Sequence, residues 1–521
     1  MNDSGGNPTA EERDTLVRAR REKLARWRET YGVTGYGHRV DDLVALAEAR
    51  GRFDADAQAA VDADPADEKR PEARVAGRCI QHRPMGKLVF IVLRDDTGDL
   101  QISVSKDRVD AASFKIAQKL DYGDIVVAGG RVGATRKGEV CVWADSFELH
   151  AKSLVPPPEK YHGLTDPELR YRQRYVDLFA NPEARRTLEQ RSRIIAFIRR
   201  FMDGRGFLEV ETPVMQPIAG GAAARPFVTH HNALGMDLFL RIAPELYLKR
   251  LLVGGMPRVY EVCRNFRNEG VDRSHNPEFT ALEVYEAFGD CLTMLELTES
   301  LLRGLAEHVA GTTPARLPFG DLEIDWSRPF DRVPYETLFR DTLGFEMADE
   351  TAVRAAAAEL HVEDAATRDH WLLVNEVYEA RCEPRIDATR PTFVTDYPSA
   401  ISPLTRPQTD RPELSHRWEL LVGGMELGTA YTELNDPDLQ LAKLTEQLAG
   451  ADEEESTFRS LDEDFIHALR VGMPPAGGLG LGVDRIVMLL TNAASIRDVI
   501  FFPLMKPVGG STDPDRGDGS G

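Results

Sequence analysis

Cysteine is scarce in this chain: five in 521 residues, at positions 79, 141, 263, 291 and 382. None forms a CxxC pair or a metal-ligand spacing, which excludes a zinc ribbon and a disulfide framework. Cys79, Cys141 and Cys263 fall in strand-like runs and are expected to be buried thiols in a reducing, cytoplasmic setting. Long apolar runs are missing as well. No stretch reaches about 18 apolar residues and no secretory signal is recognisable, so neither a membrane span nor export by that route is expected. A positive balance is also absent: 64 Lys and Arg against 85 Asp and Glu leave a formal charge of −21. Taken alone, that balance disfavours a nucleic-acid binder. It bears on solubility, however, and a local basic patch can hold phosphates against it. One such patch exists: Arg13, Arg18, Arg20, Arg21, Lys23, Arg26 and Arg28 share a helix-like stretch that suits either a solvated face or a nucleic-acid contact.

The rest is the composition of an ordinary globular protein, 42% hydrophobic and 29% charged. The length allows roughly two to four domains, and no internal repeat is found. Residues 1–70 read as a polar tail and a basic helical extension. From 71 to 152 the pattern is short strands with turn signals: Val75–Ile80, Leu88–Leu93, Leu100–Val104, Gly123–Gly129 and Gly138–Trp143, with a helical segment near 107–120. Five strands with an inserted helix suit an OB-fold barrel, a common platform for single-stranded nucleic acid. Residues 153–170 contain Pro156, Pro157 and Pro158 in a row and read as a stiff linker. Residues 171–508 are mixed α+β. They hold a long helix from Ala184 to Met202, a helix–strand–proline unit ending at Pro213, and helices over 290–310 and 352–360. A glycine-rich strand or turn, Gly477 to Gly482, then feeds a helix. Residues 1–10 and 509–521 are polar and are expected to be disordered.

The most informative stretch runs from Arg264 to Thr280. Val259–Phe266 and Phe279–Tyr285 alternate, so a hairpin with a long loop is predicted. It carries Arg264, Arg267, Glu269, His275 and Phe279. Unpaired buried charges cost several kcal/mol, so such a hairpin needs a charged ligand. A nucleoside triphosphate fits, with arginines for its phosphates and an aromatic face for its base. The glycine block alone could pass for half of a dinucleotide fingerprint. No βαβ unit precedes it, however, and Asp484 and Arg485 follow directly.

Three units in order, the one ending at Pro213, the hairpin, and Gly480–Arg485 before a helix, resemble the three motifs of class II aminoacyl-tRNA synthetases. The Asn276-Pro-Glu-Phe-Thr280 ending is similar to the lysine enzymes, and the likeness to bacterial-type lysyl-tRNA synthetases covers roughly 70–505. It takes in Gly220–Asn232, Arg241–Arg250 and Thr432–Pro437. The resemblance implies an α+β class II catalytic domain, an antiparallel sheet with helices, preceded by an all-β OB-fold anticodon-binding domain. It implies ligation of lysine to tRNA(Lys) through lysyl-adenylate, with ATP as substrate and Mg²⁺ as cofactor. Arg267 resembles the arginine bridging the α-phosphate and the substrate carboxylate, and with Arg485 it is the implied catalytic residue. Glu269 and His275 resemble ATP contacts, and Phe279 and Arg485 resemble the pair that encloses adenine, by stacking and by a cation–π contact. Glu419 and Glu426 resemble magnesium ligands, in keeping with a hard cation's preference for oxygen. Adenylate formation needs positioning and charge neutralisation more than a general base.

Alternation puts Glu283 and Tyr285 on one face of the second hairpin strand, and Thr429, Tyr431 and Glu433 on one face of a strand over Glu426–Leu434. The resemblance places Gly221 and Glu245 at the substrate's α-amino group and adds Gly480 to the lysine site. Three glutamates in one small pocket repel one another unless the ligand brings cations, and lysine brings two ammonium groups. At Thr429 the lysine enzymes usually carry an asparagine that resembles a clamp on the substrate carboxylate. That departure leaves open a relative that activates a lysine analogue or resists a lysine-site inhibitor. The other alternative, a catalytically silent RNA-binding relative, is opposed by the presence of Arg267, Glu426 and Arg485. In the barrel, Phe90 and Gln101 resemble residues that stack on and hydrogen-bond the central anticodon uridine, and Arg78 is a further candidate contact. Without the resemblance Phe90 would read as barrel core. Pro213 resembles a dimer-interface proline, which implies a homodimer.

Overall fold

Inward-facing alternation in five consecutive strands is what closes the first part of the chain on itself. In a computed structural model, residues 10–157, 164, 166–221, 224–449 and 461–507 are described. The tails expected to be disordered, up to residue 9 and from 509 on, lie outside them, as does Pro158 of the linker. The chain divides into two compact units, Met1–Pro182 and Glu183–Gly521.

The first unit is built on β1 (Glu72–Met85), β2 (Leu88–Arg94), β3 (Asp99–Ser105), β4 (Ile125–Ala134) and β5 (Val140–Ala151). They form a closed barrel in the order β1-β2-β3-β5-β4, which leaves no open edge. Every second residue of β2 and β3 (Val89, Ile91, Leu93, Leu100, Ile102, Val104) enters the core beside Val126, Ala128, Val142 and Ala144. Each large apolar side chain buried there contributes about 1.5–3 kcal/mol. The helix Ala111–Gln118 adds Phe114 and Ile116 to that core. It starts where Asp110 accepts the N–H groups of Ala112 and Ser113 at 2.9 and 3.0 Å, satisfying donors the first helical turn leaves free. The basic helix spans Ala10–Tyr31 and packs Trp27 on the barrel core. Arg20 donates to the Ser153 carbonyl at 2.8 Å, Lys23 to Asp121 at 2.6 Å and Arg28 to the Thr34 carbonyl at 3.0 Å. Those three cations fasten the helix, while Arg18, Arg21 and Arg26 are exposed.

The second unit contains short strands β6 (Leu208–Glu209), β7 (Met215–Gln216), β8 (Val228–His231) and β9 (Met236–Leu240). The predicted hairpin follows as β10 (Arg258–Phe266) and β11 (Glu278–Ala287). Beyond it come β12 (Arg316–Phe319), β13 (Leu322–Asp325), β14 (Asp331–Pro334), β15 (Thr392–Thr395), β16 (Arg417–Val422), β17 (Met425–Thr432) and β18 (Ala476–Gly482). Eight of them make one sheet, β14-β15-β16-β17-β18-β11-β10-β6. It is antiparallel except at the outermost pairs, β14 with β15 and β10 with β6. One face carries Leu282, Val284, Leu427, Ala430, Leu479 and Leu481, which join a core with the helices Pro182–Asp203, Cys291–Ala310 and Val483–Thr491. The strand period of two then turns Glu283, Tyr285, Thr429, Tyr431, Gly478 and Gly480 to the opposite face. The predicted strand over 426–434 ends at Thr432, with Glu433 one residue beyond and its N–H donating to the Ala476 carbonyl at 2.8 Å.

All five cysteines are free and buried. Burial pushes the thiols of Cys79 and Cys141 up to about 12, far from the reactive range. Among the described residues no helix is long and apolar enough to cross a membrane.

Candidate active site

Strand β18 lies between β11 and β17, and its glycines set the floor. Glu283 pairs across to Gly480 and Gly480 to Thr429; in the next row Tyr285 pairs to Gly478 and Gly478 to Tyr431. A methyl group at Gly478 would sit 1.8 Å from a Glu433 carboxylate oxygen and 2.6 Å from the Tyr285 ring. One at Gly480 would sit 3.2 Å from Glu283. The glycine row is therefore a trough between two walls of larger side chains. Gly478 escaped the sequence reading, although glycines alternating inside a strand signal close approach of other groups.

Two cavities meet over this trough. The larger, about 390 Å³, is lined by Gly221, Glu245, Glu283, Tyr285, Thr429 and Tyr431. The smaller, about 270 Å³, is lined by Glu269, His275, Phe279, Glu426 and Arg485. Arg267, Glu283, Thr429 and Gly480 line both. All five residues expected to bind nucleotide thus face one space. The residues expected to bind the amino acid face the other, except Glu433, which sits behind its inner end over Gly478.

In the smaller cavity Arg485 makes two hydrogen bonds and lies 3.8 Å from the Glu426 carboxylate. It donates to the Glu426 carbonyl at 2.7 Å and to Nε2 of His275 at 3.0 Å. Nδ1 of His275 is 2.8 Å from Asp272, so these partners assign the ring proton to Nδ1. The neighbouring Asp484 is buried, accepts the Thr280 N–H at 2.7 Å and pairs with buried Arg191. That pair, which the sequence reading missed, ties the helix Val483–Thr491 to β11 and sets the first turn that carries Arg485. The Arg267 guanidinium lies 5.1 Å from the Phe279 ring centre. Its Nε is buried with no acceptor, and among the described residues none reaches the rest of the group. A cation left this way is costly unless a ligand supplies an anion.

The larger cavity corrects one expectation. Glu245 opens the helix Glu245–Val253, and one turn later Lys249 is fully buried with its ammonium 2.6 Å from Glu245 and 2.6 Å from Glu433. Two of the three glutamates therefore already have a cation belonging to the protein. Burial pulls Lys249 towards neutrality, but the two carboxylates outweigh it and hold the ammonium charged. Burial likewise pushes Glu433 up, against the attraction of Lys249. Among the described residues Glu283 has no hydrogen-bond donor. Burial first, then the nearby Glu245, push it up to about 8, with Arg267 opposing. The i, i+4 spacing of Glu245 and Lys249 was the available signal. Arg417, also missed, lines this cavity, with its guanidinium 4.8 Å from the Tyr397 ring centre and paired with Glu419.

Three expected contributors are engaged by the protein's own groups. Glu419 lines neither cavity; Arg417 and the Tyr397 hydroxyl, at 2.8 Å, hold it. The Thr429 hydroxyl donates to the Trp418 carbonyl at 3.0 Å and so presents no free donor to the trough. Arg78 lies over the Phe179 ring at 4.5 Å and donates to the Gly123 carbonyl at 2.8 Å. It pairs across to Arg94, whereas Phe90 pairs to Arg83, about 13 Å further along β2 at strand spacing. Phe90 itself is half-exposed on the outside of the barrel, between the core residues Val89 and Ile91, so it is not barrel core. Gln101 is buried on the same outer face and accepts a hydrogen bond from Arg83 at 3.2 Å.

An OB barrel followed by an antiparallel sheet with paired cavities is a recognised combination. The family described as tRNA synthetases class II (D, K and N) matches residues 166–506, and the OB-fold nucleic acid binding domain matches residues 73–156. Among curated proteins, the lysine–tRNA ligase of Pelotomaculum thermopropionicum is 48% identical over 505 residues, covering 95% of this chain and 96% of its own. Those of Carboxydothermus hydrogenoformans and Cronobacter sakazakii are 47% and 43% identical, covering 95% and 96% of this chain and 99% and 98% of their own. The chain belongs to the lysine–tRNA ligase family. These relatives give no support to an analogue-activating or a catalytically silent alternative.

Proposed function

We propose that this chain ligates lysine to tRNA(Lys) in two steps driven by ATP. The observation that carries the reading is the unpaired Arg267 at the seam of two cavities, one lined with carboxylates and one with an aromatic ring and Arg485. In the first step a carboxylate oxygen of lysine attacks the α-phosphorus of ATP, the bond to pyrophosphate breaks and pyrophosphate leaves. Arg267 serves the carboxylate and the α-phosphate together, which brings the reactants into line and offsets developing charge. Arg485 and Phe279 take the two faces of adenine, and Glu269 and His275 contact ATP from the hairpin loop. Glu245, Glu283, Tyr285, Tyr431 and Glu433 receive the ammonium groups, with Gly221 and Gly480 leaving room for the chain. In the second step the terminal adenosine hydroxyl of the tRNA attacks the acyl carbon, loses its proton, and AMP leaves.

Glu426 and Glu419 are the residues we assign to Mg²⁺. Among the described residues there is no group of three or more His, Cys, Asp or Glu that could hold a metal. A pair of carboxylates, with Glu426 open to the nucleotide cavity, suits a hard cation that takes its other ligands from phosphate and water. The ion would neutralise triphosphate charge. Phe90 and Gln101 are assigned to the anticodon, supported by their shared outer face of the barrel. The exposed apolar residues Leu208, Val214, Met215, Val228, Leu234 and Met236 surround Pro213 in sequence and favour a homodimer through this region. Five buried free thiols favour a cytoplasmic setting. ATP–pyrophosphate exchange with each of the twenty amino acids tests the reading. Lysine alone should support exchange, and comparable exchange with arginine, or with ornithine added to the panel, would overturn it.

A further inference from the structure

Lys249 holds no place in the chemistry above, although it is fully buried at the centre of the carboxylate cluster. We propose that Lys249 is a positioning residue: it stands between Glu245 and Glu433, orients both carboxylates, and fixes the charge demand of the cavity at two. The inference rests on lysine being the substrate.

The count takes the charged groups at the cavity; Glu261, which pairs across to Glu283, is matched by Arg241. Glu245, Glu283 and Glu433 are three negative groups and Lys249 one positive. Arg417 is matched by Glu419, and Asp462 by Arg250. Arg267 faces the seam and is reserved for the substrate carboxylate. Tyr285 and Tyr431 are held neutral, since burial pushes both hydroxyls up. Two negative charges remain. In the empty cavity burial favours protons on both Glu283 and Glu433. In the filled cavity two ammonium groups replace them. An amino acid with one ammonium leaves a carboxyl unpaired or protonated, and a buried polar group without its partner is the strongest basis for rejecting a near-match. Lys249 is wholly out of solvent and lines neither cavity, so it acts through Glu245 and Glu433 rather than on the substrate.

The competing reading is that Lys249 merely staples the helix Glu245–Val253 to the end of β17. Exchange kinetics with lysine and ATP varied separately distinguish the two. Lysine KM should rise about 100-fold in Lys249→Met, with ATP KM within about threefold of wild type. Lys249→Arg, which keeps the charge, should recover most of that loss. A staple would instead move both KM values together or leave the lysine KM of the folded enzyme unchanged, and either result overturns the proposal. Should Lys249→Met not fold, the same comparison is made in the Glu433→Gln background, which removes one of the carboxylates Lys249 faces. There Lys249→Met returns the charge demand from one to two, so lysine KM should fall at least about tenfold below that of Glu433→Gln alone, and no fall overturns the proposal. If the wild type shows no exchange with lysine, the function reading has failed instead.

Discussion

Arg267 and Glu283 meet at the seam of the two cavities, and neither has a hydrogen-bonded protein partner for its charge among the described residues. Arg267→Ala should lower adenylate formation at least about 100-fold, roughly 3 kcal/mol, measured by pyrophosphate exchange. A variant with near-normal exchange would mean that the hairpin does not hold the phosphate. Glu283, pushed up to about 8, gives a signed pH dependence. Its folded value lies above the unfolded one of about 4.3, so between the two the folded state keeps an extra proton and stability falls as pH rises. Lysine needs the ionised form. Its dissociation constant should therefore fall by up to about tenfold per unit from pH 6 towards 8 and then level off. Calorimetric titration should show that slope in the wild type, with Glu433 adding its own, and a shallower one in Glu283→Gln; a flat wild-type profile would contradict it. At Thr429 the hydroxyl is engaged by the Trp418 carbonyl. Thr429→Asn would add an amide donor worth about 1.5–3 kcal/mol, a gain of roughly 10- to 100-fold in kcat/KM for lysine. No gain would show the threonine to be a neutral replacement. Arg267, Glu283 and Thr429 were legible because each falls in a patterned strand or motif. Lys249 was not, because a lysine four residues after a glutamate on a helix usually means a solvated pair, and only the fold shows Glu433 arriving on its other side.

At the level of elements, most of the site follows from one sheet. The alternation of β11 and β17 was readable, and it places both walls of the trough once β18 lies between them. What alternation could not give was the neighbour order of strands far apart in sequence, since the hydrogen-bonding partner of a strand is a tertiary fact. Arg191 and Asp484 belong to that hidden layer: 293 residues apart, they join two helices' worth of core to β11. In the barrel, closure turned out to decide Phe90. Its neighbours fill the interior, so its own ring is left outside. Base stacking on such a ring contributes about 1–3 kcal/mol. Phe90→Ala with Gln101→Ala should therefore reduce tRNA charging while leaving lysine activation nearly intact. An equal fall in both rates would make these residues structural.

For the whole molecule, a formal charge of −21 has to coexist with RNA binding. The basic helix carries a local positive face against that balance. Arg20, Lys23 and Arg28 hold it in place, while Arg18, Arg21 and Arg26 stay exposed on its surface. The barrel and the mixed α+β unit were both legible from strand length and helix spacing, because the two patterns differ in period. Which amino acid and which RNA the two units serve was not a matter of pattern. It came from resemblance, and the near-full-length similarity to lysine–tRNA ligases bears on it directly. The most direct measurement joins both units in one reaction: labelled lysine, ATP and unfractionated tRNA are incubated with the protein, and the charged tRNAs are identified by protection from periodate. The expected result is ATP-dependent esterification of lysine to tRNA(Lys) with no other tRNA protected. Charging with another amino acid, or lysine-dependent pyrophosphate exchange without any transfer to tRNA, would contradict it.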